Sequence, residues 1–234
     1  MDQLISDKVK AIIQKSLVEE KQEFNSLDEA YVAQKKIFKI NTDFLSNANI
    51  QNHLSLYEKY VNDFNKISAE LDSLDKTNLS ENHSVYRSTK SDEIFNMNAA
   101  YLHELFFANI ADPASQIRMD SLSYMRIARD FGTFDDWQRD FMSCALSSRC
   151  GWAVTYLNTY TQSYMNCFID LHSDNVPVGM IPIIVIDMWQ HSYYKDYQKD
   201  AKTYLIAMMK QLRWETIEKR FEKSDKILSI LRGL

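Results

Sequence analysis

Glycine and proline are nearly missing from this chain, four and three among 234 residues, where the pair normally makes up about 12%. So small a supply of turn formers excludes collagen-like and linker-rich chains and argues against a turn-dense all-β fold, since tight turns and helix breaks draw on these residues. Long helices are favoured instead. Cysteine is scarce too, three in all, an odd number that makes no paired framework of the kind small secreted domains need. A reducing compartment is expected. Long apolar runs are absent: the greasiest stretch, residues 180–186, contains Pro182 and falls far short of the roughly 20 residues that span a bilayer. The opening MDQLISDKVKAIIQK holds no apolar core of the signal-peptide kind. A soluble, intracellular (cytoplasmic) protein without a membrane partner is the expectation. Excess positive charge is missing as well; 27 Lys and Arg against 32 Asp and Glu leave a formal charge of -5, which argues against a nucleic-acid partner.

What is present is a core. Hydrophobic residues make up 45% and aromatics 12% of the chain, enough to exclude disorder throughout. Residues 1–40 read as one or two amphipathic helices, with Leu4, Ile5, Val9, Ile12, Ile13 and Leu17 on one face. A second helical stretch runs over 48–74, residues 75–91 read as a polar loop, and helical periodicity resumes over 92–110 before Pro113. Residues 115–130 and 133–148 read as two more helices, the latter opened by Thr133 with Asp135 and Asp136 in its first turn. Then the texture changes. Residues 152–157, 164–169 and 183–186 are short, aromatic and β-branched, as strands are, and helices follow over 197–212 and 214–230. Helices first, then a small sheet among helices, is an α+β pattern.

The common catalytic signatures are absent: no phosphate loop, no nucleophile elbow, no HExxH and no paired CxxC. Histidine is rare, which makes each of the five informative. The most suggestive segment is 183–197, IIVIDMWQHSYYKDY, where Asp187 ends an apolar strand and His191 follows four residues later among Trp189, Tyr193 and Tyr194. An ionised carboxylate at the end of a buried strand is costly unless it is paired or bound to a cation. Read from the residues alone, Asp187 is either a cap of the following turn with His191 a packed core residue, or one arm of a metal site.

DMWQHSYYKDY resembles the DxWEHxYYxxY signature of the iron/manganese superoxide dismutases, in which the Asp and His are two of four protein ligands of the metal. The similarity continues elsewhere in the chain. FNMNAAYLHELFF (residues 95–107) resembles that family's second-helix pattern, FGTFDDW (131–137) its FGSFDxF helix start, Gly151-Trp152 its GSGW entry to the sheet, and WETIEKRF (214–221) its closing NWxxxxxRF helix. The resemblance implies a helical hairpin over 41–112, an α+β metal-site domain with a three-stranded antiparallel sheet over 113–234, and a helical extension over 1–40 beyond the family's short arm. It implies Fe or Mn held by His103, Asp187, His191 and a group from the first helix, with superoxide as substrate and a homo-oligomer as the assembled form. LHSDNVPVG (171–179) resembles the family's DHQxNxPLG loop, so His172 would hold metal-bound solvent; Tyr60 would gate the substrate channel, and Trp152, Trp189, Gln190 and Tyr194 would surround the ligands.

One departure bears on function. The family's first ligand is a His eight residues before the gating Tyr. Counting back from Tyr60, in YVNDFN, lands on Asn52, with His53 one residue late, and one residue on a helix is a rotation of about 100°. The other register takes His53 as ligand and puts Val61 where the Tyr should stand. Gln190 replaces the Glu of WEH, which in the family reaches across the dimer interface, and Leu56 replaces a polar His. Two functions follow: a working dismutase, or a fold whose metal site has lapsed and whose residues 1–40 dock on a partner in a larger assembly. Dismutase-like chains occur in tailed bacteriophages, so a virion component falls under the second. Structural zinc is a third alternative, since two His and one Asp can bind it.

Overall fold

The computed structural model describes residues 32–233 except Asn78; the helices expected before residue 32 lie outside them. Residues 32–40, expected to be helical, form no regular element instead. At the end of this stretch burial alternates: Phe38 and Ile40 are partly buried, while Ile37 and Lys39 are exposed. Phe38 packs on Tyr57 and Phe107, with ring centroids 6.0 and 5.7 Å apart, and Lys39 O accepts a hydrogen bond from Asp112 N at 2.8 Å.

Two long helices follow. In α1, Asn47–Ser73, the Ser46 hydroxyl accepts from Asn49 N and so caps the first turn. Its buried residues include Ile50, His53, Tyr57 and Val61, spaced three or four apart, so they share one face. α2, Val85–Ile110, packs on α1 and buries Ala99, Leu102, His103, Phe106 and Ile110. α2 begins seven residues earlier than the polar texture implied. Ser84 caps it at Arg87 N, and the residues read as a loop are largely exposed positions of its first two turns.

α3, Leu122–Phe131, starts later than expected because Ser121 is its cap, and it stops at Gly132, whose φ of 92° is cheap for glycine alone. α4, Phe134–Ser147, has the Thr133 cap and acidic first turn read from the sequence. The sheet is β1, Gly151–Asn158; β2, Ser163–Asp170; and β3, Met180–Asp187, antiparallel in the order β2-β1-β3. Trp152 pairs with Ile169 on one side and Asp187 on the other. Gly151 is required at the entry, because a Cβ there would lie 1.8 Å from Ile169 O.

Three helices complete the described chain: α5, Gln190–Tyr197; α6, Ala201–Gln211; and α7, Trp214–Leu231. Fully buried Trp137, Trp152, Phe106, Phe107, Phe141 and Phe221 form the core, each worth about 2–3 kcal/mol in apolar burial. The buried Trp137 Nε1–H is satisfied by Thr155 Oγ1 at 2.9 Å, which in turn donates to Asn166 Oδ1 at 2.6 Å. No described helix is long and apolar enough to cross a membrane. The three cysteines are unpaired thiols.

Candidate metal centre

β3 delivers Asp187 to the middle of the molecule and ends there. Its Oδ1 accepts from Trp189 N at 2.7 Å, and its carbonyl accepts from Tyr204 Oη at 2.9 Å and Ser192 Oγ at 3.2 Å. Fixed in this way, Oδ2 faces three imidazoles. His53 Nε2 and His191 Nε2 each lie 3.1 Å from it, and His103 Nε2 lies 3.6 Å away. One ligand atom from each of His53, His103, Asp187 and His191 falls within 4.8 Å of all the others. The elements explain the convergence: α1 and α2 pair along the faces carrying His53 and His103, while β3 and α5 are joined by the turn from Asp187 to His191.

Charge and tautomer prepare these groups for a cation. His103 Nδ1 donates to Ala99 O at 2.7 Å, which leaves the lone pair on Nε2, and that buried atom has no hydrogen-bond partner among the described residues. A buried nitrogen left so costs about 1–3 kcal/mol, a penalty that a metal ion removes. Burial, then the positive charge that His53 would carry, holds His103 well below its usual pKa, and burial likewise depresses His53; neutral imidazoles are what a metal requires. Burial alone would raise the Asp187 carboxyl, but the charge and hydrogen bond of His191 and those of His53 outweigh it and keep the group ionised. Three imidazole nitrogens and one carboxylate oxygen make a donor set that suits a borderline first-row ion. Asp187 and His103 are sealed from solvent and His53 is 3% exposed, while the His191 side chain, at 25%, is the open edge.

A second layer lies against the imidazoles. Trp152 Nε1, which can only donate, lies 3.0 Å from His172 Nδ1. The His172 proton therefore sits on Nε2, which donates to Tyr60 Oη at 3.1 Å. Burial pushes His172 down to about 4 and Tyr60 up to about 12, so both are neutral at pH 7. The Tyr60 ring is 5.2 Å from that of His103, and Trp189 stacks on His172 and His191 at 4.9 and 5.6 Å.

Of the residues singled out in the sequence, Asn52 is not brought in. It is exposed and His53 takes the inward position, so the register counted from Tyr60 is corrected. The second register is also amended, because Tyr60 keeps its place beside the site although His53 is the inward histidine. Seven residues turn a helix through about 700°, within 20° of two full turns, whereas eight would add about 80°. His53 and Tyr60 therefore share a face of a continuous α1. Gln190 is exposed and Tyr194 half exposed, and neither is among the donors that converge. His83 lies exposed in the loop before α2. Sequence reasoning missed Asn49, Ser192 and Tyr204, which bind backbone or polar atoms rather than the cluster, and single polar residues inside helices carry no local signal of such a task.

Comparison with known proteins agrees with this architecture. Residues 121–220 match the family model described as iron/manganese superoxide dismutases, C-terminal domain. The superoxide dismutase (Fe) of Aquifex aeolicus is 31% identical over 196 residues, covering 82% of this chain and 91% of that protein. The superoxide dismutase (Mn) 1 of Halobacterium salinarum is 29% identical over 172 residues, 74% of this chain and 84% of its own.

Proposed function

Because the chain belongs to the iron/manganese superoxide dismutase family, we propose that it disproportionates superoxide to oxygen and hydrogen peroxide with one Fe or Mn ion held by His53, His103, Asp187 and His191. The observation that carries this reading is the convergence of those four donors on one point. The bound ion supplies one-electron chemistry, so that two superoxide anions and two protons become one O2 and one H2O2. The protein supplies everything else. Asp187, held by Trp189 N and Tyr204 Oη, balances part of the cation's charge, and the neutral imidazoles leave the site net positive toward an anionic substrate.

Protons come from the Tyr60–His172 pair. With His172 Nε2–H donating to Tyr60 Oη, the phenol proton is free to be given to a group on the cluster side. Burial raises Tyr60 to about 12, so it remains a donor throughout the neutral range. A second copy of the chain would cover the open edge at His191, where Gln190 and Tyr194 are exposed. The lapsed-site reading drew on an Asn in the first ligand position, on Gln190 and Leu56, and on the extension over 1–40; with Asn52 exposed and His53 inward, the first of these no longer favours it. The test is dismutation by the Fe- or Mn-reconstituted chain alongside Asp187→Ala. Activity with one equivalent of metal, lost in the variant, is expected; a metal-replete chain that leaves superoxide decay at its spontaneous rate would refute the reading.

A further inference from the structure

The histidine on α1 and the histidine on α5 meet only if the two helices are held in one relative position, and a polar clamp joins them close to both residues. Asn49 lies one helical turn before His53 and is 1% exposed. Its amide donates twice to α5, to Ser192 O at 3.0 Å and to Asp196 Oδ2 at 2.9 Å. Ser192 follows His191 directly, and its hydroxyl donates to Asp187 O at 3.2 Å. Asp196 Oδ2 also accepts from Ser46 N at 2.9 Å, and Ser46 is the residue whose hydroxyl caps α1 at Asn49 N. The cap of α1, the turn before His53, the residue after His191 and the Asp187 backbone thus form one connected set of hydrogen bonds. Burial would raise the Asp196 carboxyl, but the Ser46 amide and the Asn49 side chain keep it below its ordinary range, so a charge-assisted contact anchors the set.

We propose that Asn49 is a positioning residue for the metal site, fixing the separation of His53 and His191 by fastening the first turn of α1 to α5 through Ser192 and Asp196. It touches none of the four donors' side-chain nitrogens or oxygens and acts through the helices that carry them. The proposal rests on the metal-centre reading above. Asn49→Leu keeps the volume and removes both donors. Asn49→Asp keeps the shape and sets a second carboxylate against Asp196. The exchange Asn49→Asp with Asp196→Asn restores an amide facing a carboxylate.

The experiment uses the full chain stripped of metal. Mn2+ is titrated in competition with a chromogenic chelator, thermal melting of the metal-free protein reports folding, and the electron paramagnetic resonance spectrum of the Fe(III)-loaded form reports ligand geometry. Asn49→Leu and Asn49→Asp should lose about 10- to 100-fold in Mn2+ affinity, the scale of an outer hydrogen-bonding partner, with an altered Fe(III) spectrum, and the exchange should recover part of that loss. A folded Asn49→Leu with affinity within twofold of the original and an unchanged spectrum overturns the proposal, because a merely structural clamp lowers melting and leaves both metal readouts alone. Should both single variants at 49 fail to fold, Asp196→Ala decides, since it removes the acceptor that Asn49 holds on α5 and leaves residue 49 itself in place; unchanged Mn2+ affinity there also overturns the proposal. An original chain that takes up no Mn2+ refutes the metal-centre reading, and the clamp's role with it, whereas variants equal to a Mn2+-binding original refute the clamp alone.

Discussion

His53→Ala and Asn52→Ala, made side by side, separate the two ways in which α1 can present a donor to the cluster. The His53 side chain is 2% exposed, with its ring 4.8 Å from that of Phe107 and 5.3 Å from that of Phe106. Removing it opens a ring-sized void between rigid neighbours, a change that costs roughly 2–4 kcal/mol. It also takes one partner from the buried Asp187 carboxylate, a bond worth about 1.5–3 kcal/mol. The two losses overlap, so the metal-free protein should lose about 3 kcal/mol. Metal affinity should fall further. Disturbing an outer partner costs about 10- to 100-fold, and loss of one donor of four exceeds that. Asn52 is exposed, and its replacement should stay within about 0.5 kcal/mol with metal binding unchanged. Competition titration with Mn2+ and denaturant unfolding of the metal-free forms measure both quantities. If Asn52→Ala lost as much affinity as His53→Ala, or if His53→Ala stayed within tenfold of the original, the assignment of the inward position to His53 would be wrong.

Tyr60→Phe removes the acceptor of His172 Nε2–H and the proton nearest the cluster; dismutation measured by stopped flow should fall about 10- to 100-fold, while metal content stays at one equivalent. Metal-free protein should lose stability on acidification. His53, His103 and His172 are all held below the ordinary 6.5, His172 at about 4, chiefly by burial, so the unfolded chain binds protons that the folded chain refuses. Stability is then full above about pH 6.5 and falls below it, by up to about 1.4 kcal/mol per pH unit for each histidine, with the His172 share exhausted near pH 4. Denaturant midpoints at pH 7.5, 6 and 5 check this, and a flat profile would contradict it. Thr133→Ala, which deletes the hydroxyl capping α4 at Asp136 N, should lower stability by about 1 kcal/mol, read in the same unfolding assay.

Much of this fold is legible wherever a local rule acts without competition. Thr133 with two acidic residues behind it announces α4. Where texture and structure parted, a rule of another range prevailed. Residues 85–91 are polar because they form exposed turns of α2, so polarity alone could not tell loop from helix surface. Residues 32–40 hold enough apolar side chains for a helix, but they form no regular element, and Phe38 is held instead by ring contacts with Tyr57 and Phe107. α5 is eight residues of mostly polar and aromatic side chains, too short to establish a period. At the candidate site, Asp187 and His191 stood out as a costly carboxylate near a rare imidazole, whereas His103 and His172 were reached only through family resemblance. His53 was ambiguous because a spacing of seven or eight differs by about 100° on a helix, and no count along the chain reveals which side faces inward.

Anomalous diffraction at the metal edge, from crystals of the Fe- or Mn-reconstituted chain, tests the central claim most directly. A single strong peak within coordination distance of His53, His103 and His191 Nε2 and Asp187 Oδ2 is the predicted result. A peak elsewhere in the molecule, with those four side chains still holding one another and no scatterer between them, would contradict it.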